Sequence, residues 1–212
     1  MAKRYADLTK VPPDPVVRLL AVSGLELATE IEAPASAATE RVLYALDDKA
    51  AWVDIIKLLS VALPAREAVW WACLAARDYI AAHPKTHNDC VKAAEAWVFE
   101  PGSKTRATVE TALQNASPKD KTALCATAAL YGGGTMGTGE MAKLAAPPSA
   151  VAGAVFGMNL LAMGDAEDPD EHLQLLIDRG LDIARGGNGR VERPAAGDAA
   201  PGAELAPAKG ES

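Results

Sequence analysis

The chain has 212 residues, a formal net charge of -7 and a pI near 5.0. It contains no run of Lys and Arg interleaved with aromatics, which excludes the pattern of a general nucleic-acid binder. The abundance of alanine, with only two Phe, suits closely packed helices and argues against a β-sandwich. Three cysteines, an odd number with no C-x-x-C pair, read as reduced thiols of a cytosolic protein.

Residues 1–13 read as a polar, extended lead-in ending in Pro12-Pro13. Lys3 and Arg4 are not followed by an uninterrupted apolar run, so no signal peptide is expected. Asp14-Pro15 has the form of a helix start, with Asp as cap and Pro at the first position. Val16, Leu20, Leu27 and Ile31 then share a helical face. Residues 25–31 also nearly alternate apolar and polar, so a hairpin turning at Ser23-Gly24 is the rival. Helix is preferred because later segments supply no partner strands.

Pro34 breaks the chain. Ser36 is expected to cap a helix reaching Leu46, with Val42, Leu43 and Leu46 inward. Asp48 is expected to cap a helix over 49–62, whose stripe is Trp52, Ile55, Ile56, Leu59 and then Leu63. Pro64 fits the first turn of the next helix, 63–80, which is predicted to be the centre of the domain. Its stretch 68–76 carries no charge. Trp70 and Trp71 are adjacent and so point about 100° apart, which asks for burial on several sides. The tight Leu63-Pro64 joint suggests that these two helices form a hairpin.

Residues 83–88 read as a loop, followed by a helix over 91–99 capped by Asp89. Pro101-Gly102 ends it, and Ser103 caps a helix over 104–115. Ser117-Pro118 opens another over 119–131. Residues 132–146 read as a flexible Gly-rich connector. An apolar helix over 149–163 contains Gly153-x-x-x-Gly157, taken as a close-packing signal. It would span only about 22 Å, short of the ~30 Å hydrocarbon core, so no membrane insertion is expected. Asp168-Pro169 starts a last amphipathic helix with Leu173, Leu176, Ile177, Leu181 and Ala184 on one face. The expected organisation is a lead-in over 1–13, one all-α domain of about seven to nine helices over 14–185, and a disordered tail over 186–212.

Candidate chemistry is sparse. His83, His87 and Cys90 could ligate a metal, but their spacing matches no common zinc pattern. The Gly132–Gly139 run lacks the Lys and the preceding strand of a phosphate loop. Cys73 has no nearby base, and no G-x-S-x-G elbow occurs. No catalytic residue, metal or cofactor is therefore assigned. Arg66, Trp71, Arg77 and Trp97 are the partner-binding candidates, because Trp and Arg dominate interface hot spots. Core tryptophans with snorkelling arginines are the plainer alternative.

At Ala68–Cys73 (AVWWAC), 93–101 (AAEAWVFEP) and 146–155 (APPSAVAGAV) the chain resembles a family of bacterial helical proteins known as a domain of unknown function. The resemblance runs from about Asp48 to Leu161. It departs at Leu130-Tyr131, where an aromatic pair is expected, and in its Gly-rich connector. The start, before Ala33, matches nothing in the pattern. The resemblance implies an accessory protein, since some members look encoded near type VI secretion genes. It brings no catalytic residues. The expected function is a non-enzymatic, cytoplasmic protein-interaction module, an adaptor or chaperone beside a bacterial secretion system. The alternative is a small metal protein or enzyme using His83, His87 and Cys90.

Overall fold

The computed structural model describes residues 4–191. It contains α1 (Val16–Ser23), α2 (Thr39–Asp47), α3 (Trp52–Ala62), α4 (Ala65–Ala82), α5 (Asp89–Phe99), α6 (Ser103–Asn115), α7 (Ala123–Gly132), α8 (Ala150–Gly164) and α9 (Pro169–Ala184), with no strand among the described residues. Helix α4 packs against α5, α7, α8 and α9. Ala68, Ala72, Ala75 and Ala76 are buried along it beside Val69, Trp71 and Cys73. Small side chains on both α4 and α8 let these helices meet, which accounts for an all-α domain with so few aromatics.

The α3–α4 hairpin does not form. Leu63 and Pro64 are both extended, with ψ of 140° and 151°, and carry the chain away from α3. Helix α9 enters between the two. A Cβ placed on Gly180 would lie 3.0 Å from Trp71 Cζ2 and 3.1 Å from Leu59 Cδ1, so the glycine lets α9 approach α3 and α4 at once. The Trp71 indole N–H donates to the Leu176 carbonyl at 3.0 Å one turn away.

Most of the expected side-chain caps do not form. Asp14 pairs with Arg18 instead of capping α1. Asp48 ends α2, and Ala50 turns at φ 52°, so α3 begins at Trp52 and not at Lys49. Ser36, Asp89 and Ser103 make no capping bond, and α7 starts at Ala123, four residues after the expected Lys119. Asp168 does cap α9, accepting from the Glu171 amide at 3.0 Å, and the inward face predicted for α9 is buried throughout.

Residues 25–31 are neither helix nor hairpin. Helix α1 stops where Gly24 turns left-handed at φ 63°. The amides of Ala28 and Thr29 then donate to the buried Asp54 carboxylate at 3.0 and 2.7 Å, while Lys57 and Lys49 donate to the carbonyls of Glu26 and Glu30. Side chains of α3 and its approach thus take over backbone groups that a helix or ladder would have used.

The Gly-rich connector is built, not loose. Arg106 of α6 donates to the carbonyls of Leu130 and Thr135 and to the Thr135 hydroxyl. Thr138 donates to Glu110, and the Met136 amide donates to the Leu144 carbonyl across a single antiparallel bridge. A Cβ on Gly132 would lie 2.6 Å from Trp97 Cη2, and one on Gly133 would lie 2.8 Å from Arg106. These glycines serve close approach. The G-x-x-x-G pair does not: Gly153 faces open space, and Gly157 has its nearest neighbour, Leu124 Cδ1, at 3.4 Å.

Both ends of the described chain are also packed. Tyr5 is fully buried, edge-on to Tyr44, and the Lys10 amide donates to the Ala184 carbonyl. Of the expected tail, residues 186–191 form a strap after α9. Its last part, 192–212, lies outside the described residues.

Candidate functional site

The four residues singled out from sequence do not share one surface. Trp71 is fully buried against α9 and Trp97 is 4% exposed, with its ring over the Gly132 backbone. Neither indole stands on the folded surface as an anchor, because α4 and α5 are enclosed on the sides these positions face. Arg77 forms a bidentate pair with Glu95, its Nε at 2.8 Å from Oε1, and ties α4 to α5. Arg66 alone of the four opens on a surface cleft, with its Nε donating to the Val98 carbonyl at 2.6 Å.

That cleft has a volume of about 350 Å³ and is lined by Arg66, Trp70, Val98, Phe99, Asn188 and Arg190. Phe99, the last residue of α5, is 69% exposed. Its ring meets Trp70 at a centroid distance of 5.6 Å and an interplanar angle of 61°, an edge contact that holds both rings in place. The Trp70 indole N–H donates to the Asn188 carbonyl at 2.8 Å, so the strap forms one wall. The strap is fixed in turn by Asp182, whose carbonyl accepts from Gly187 N–H and whose carboxylate accepts from Gly189 N–H. Gly189 has φ 71°, and a Cβ there would lie 2.6 Å from Leu74 Cδ1, so the position requires glycine. Sequence reasoning missed Trp70, Phe99 and Arg190. The 100° offset between adjacent tryptophans asks for burial on several sides, whereas Trp70 is only partly buried and borders the cleft. Phe99 likewise falls off the stripe of Val91, Ala94 and Trp97.

The metal candidates diverge. The His83 ring stacks on Tyr79 at 4.4 Å, with Nδ1 3.0 Å from the Tyr79 carbonyl oxygen, while the Cys90 thiol points at the Ala112 carbonyl. Among the described residues no three His, Cys, Asp or Glu side chains converge as a metal site. His87 and Cys90 instead border a groove of about 900 Å³ between α5 and α6, where Ala and Thr supply half of the lining. Burial, then the Asp120 and Asp89 carboxylates, push the Cys90 thiol up to about 12, and burial beside Cys73 raises Cys125 well above a normal thiol. Both stay protonated near neutral pH and are poor nucleophiles.

Among the described residues no helix is long and apolar enough to cross a membrane. No curated protein matches the chain, and no solved structure does. A family of unknown function (DUF6931) matches residues 42–184, from the middle of α2 to the end of α9. This stretch includes the Trp-Trp helix, the Ala-Glu-x-Trp-Val helix, the pinned Gly-rich loop and the cleft residues Arg66, Trp70, Val98 and Phe99, and over it the chain belongs to that family of unknown function.

Proposed function

We propose that this chain is a non-enzymatic protein-interaction module whose contact surface is the Arg66–Trp70–Phe99 cleft, working in the cytoplasm as an adaptor or chaperone for a bacterial secretion component. The observation that carries the reading is the exposure of Phe99, a large ring placed in water at a helix end and braced there by Trp70. Phe and Arg are both enriched at protein interfaces, and Trp and Arg at their hot spots. In this reading Trp71, Trp97 and Arg77 act behind the surface, holding α4 and α5 in the register that presents Phe99 and Arg66. The secretion setting rests on the family resemblance at the tryptophan motifs.

The test compares wild type with Phe99→Asp in proximity labelling from the source cells, after matched thermal melts show that both fold. Phe99 is exposed, so its replacement should leave the melt within a degree or two. A secretion component labelled by wild type and lost with Phe99→Asp is the expected result. An unchanged set of labelled proteins would refute the cleft as the contact surface. A Phe99-dependent partner unrelated to secretion would refute the secretion assignment alone.

A further inference from the structure

Among the described residues the walls of the cleft carry an unbalanced charge: Arg66 and Arg190 both line it, and no carboxylate does. Among the described residues neither guanidinium has an acidic partner within ion-pair distance, whereas Arg4, Arg18, Arg77 and Arg179 all do. Arg66 spends its Nε on the Val98 carbonyl, which leaves its terminal nitrogens to the cleft. The sequence neighbour Glu67 is engaged by Lys10 at 3.6 Å. On a chain of net charge -7, this is a local positive spot built around two braced aromatic rings.

From this charge pattern, and resting on the interaction reading above, we infer that the cleft takes an acidic peptide segment carrying one bulky apolar side chain. The rings and Val98 supply the apolar floor. Arg66 and Arg190 meet carboxylates on either side, the pairing for which the planar guanidinium fork is suited. The volume, about 350 Å³, lies at the small end of the range for ligand sites and matches a side chain or two, not a folded domain. The acidic remainder of the molecule repels such a segment, so the two arginines decide where it lands. Because Asn188 and Arg190 belong to the strap, a bound segment also stabilises the strap over Trp70.

The experiment uses the full-length chain and short fluorescent peptides read by anisotropy. One peptide has Asp and Glu around a single central Phe. A second replaces the acids with Lys, and a third replaces the Phe with Ala. The first is expected to bind, with affinity falling as salt rises, and the other two to bind at least roughly tenfold more weakly. Arg190→Glu, an exposed change that leaves the melt unaltered, should weaken the first peptide by about tenfold, since each exposed ion pair is worth up to about fivefold and reversal turns attraction into repulsion. Phe99→Ala should abolish binding.

Equal binding of the Lys peptide, or no effect of Arg190→Glu, overturns the acidic-segment inference. If Phe99→Ala still abolishes binding in that case, the cleft survives as a contact surface for a partner of other chemistry. Peptide binding untouched by Phe99→Ala overturns the cleft itself, and with it the reading on which the inference rests. Absence of binding by the acidic peptide overturns the acidic-segment inference as well.

Discussion

The packing of α9 on α4 through Gly180 can be tested by a double-mutant cycle between Gly180→Ala and Trp71→Phe. Two opposed terms set the magnitude. Alanine in a helix interior is favoured over glycine by about 1 kcal/mol. Against this, the new methyl would lie 3.0 and 3.1 Å from Trp71 ring atoms and 3.1 Å from Leu59 Cδ1, tight enough that these neighbours must give by a few tenths of an ångström. Overpacking of that kind costs about 1–3 kcal/mol. Gly180→Ala alone should therefore destabilise by roughly 0–2 kcal/mol. Trp71→Phe removes the six-membered half of the indole that carries Cζ2 and opens room for the methyl. It also deletes the N–H donated to Leu176, at a cost of about 1 kcal/mol beyond the lost packing. In that background Gly180→Ala should become neutral or stabilising by up to about 1 kcal/mol, giving a coupling of roughly 1–2 kcal/mol. Urea unfolding at one temperature measures all four corners. In thermal melts the same energies appear as about 2–4 °C per kcal/mol for a chain of this size. If Gly180→Ala has the same effect in both backgrounds within about 0.5 kcal/mol, the two residues do not share the contact and the account of α9 docking is wrong.

Three other perturbations follow from the packing. Gly132→Ala puts a methyl 2.6 Å from the Trp97 ring at a position whose φ is not positive, so the clash acts alone and should lower stability by about 1–3 kcal/mol in the same melts. Arg106→Ala removes three hydrogen bonds, two to Thr135 in the loop after α7 and one to Leu130 within α7, and limited proteolysis within residues 134–146 should speed up severalfold while the far-UV signal of the helices is kept. An unchanged cleavage rate would show that the loop holds itself. Asp54 supplies the pH dependence. Burial alone would raise its pKa, but the amides of Ala28 and Thr29 and the Lys57 ammonium outweigh burial and hold it below the usual carboxylate value. A depressed folded-state pKa means stability that is complete above the unfolded value of about 4 and lost as pH falls through the lower folded value. Wild type should exceed Asp54→Asn by about 1–2 kcal/mol at neutral pH, and the gap should narrow below about pH 4, with faster hydrogen exchange at Ala28 and Thr29 in the variant. A gap independent of pH would contradict the role given to the carboxylate.

The sequence by itself determined the helical class and most helix positions, because those follow from local periodicity and composition. Of the stripe Trp52, Ile55, Ile56, Leu59 and Leu63 all but the partly buried Trp52 are buried, and so is the predicted inward face of α9 from Leu173 to Ala184. The Asp168 cap formed because its partner amide is three residues away. Tertiary structure decided whatever depends on groups distant in the chain. Asp54 captured residues 28 and 29, Arg106 captured the Gly-rich loop, and the strap after α9 closed over Trp70 through Asp182. The site divides in the same way. That tryptophans flanked by arginines sit together on α4 was legible in the uncharged stretch between Glu67 and Arg77. Which tryptophan faces outward was not, because two side chains 100° apart on one helix differ only in what packs against them. Helix α9 covered Trp71, Phe99 reached over from α5 to brace Trp70, and two arginines at positions 66 and 190 came to line one cleft. A local pattern cannot encode these pairings, because each is fixed by the direction in which whole helices cross, and that direction is set by the small residues that let them approach.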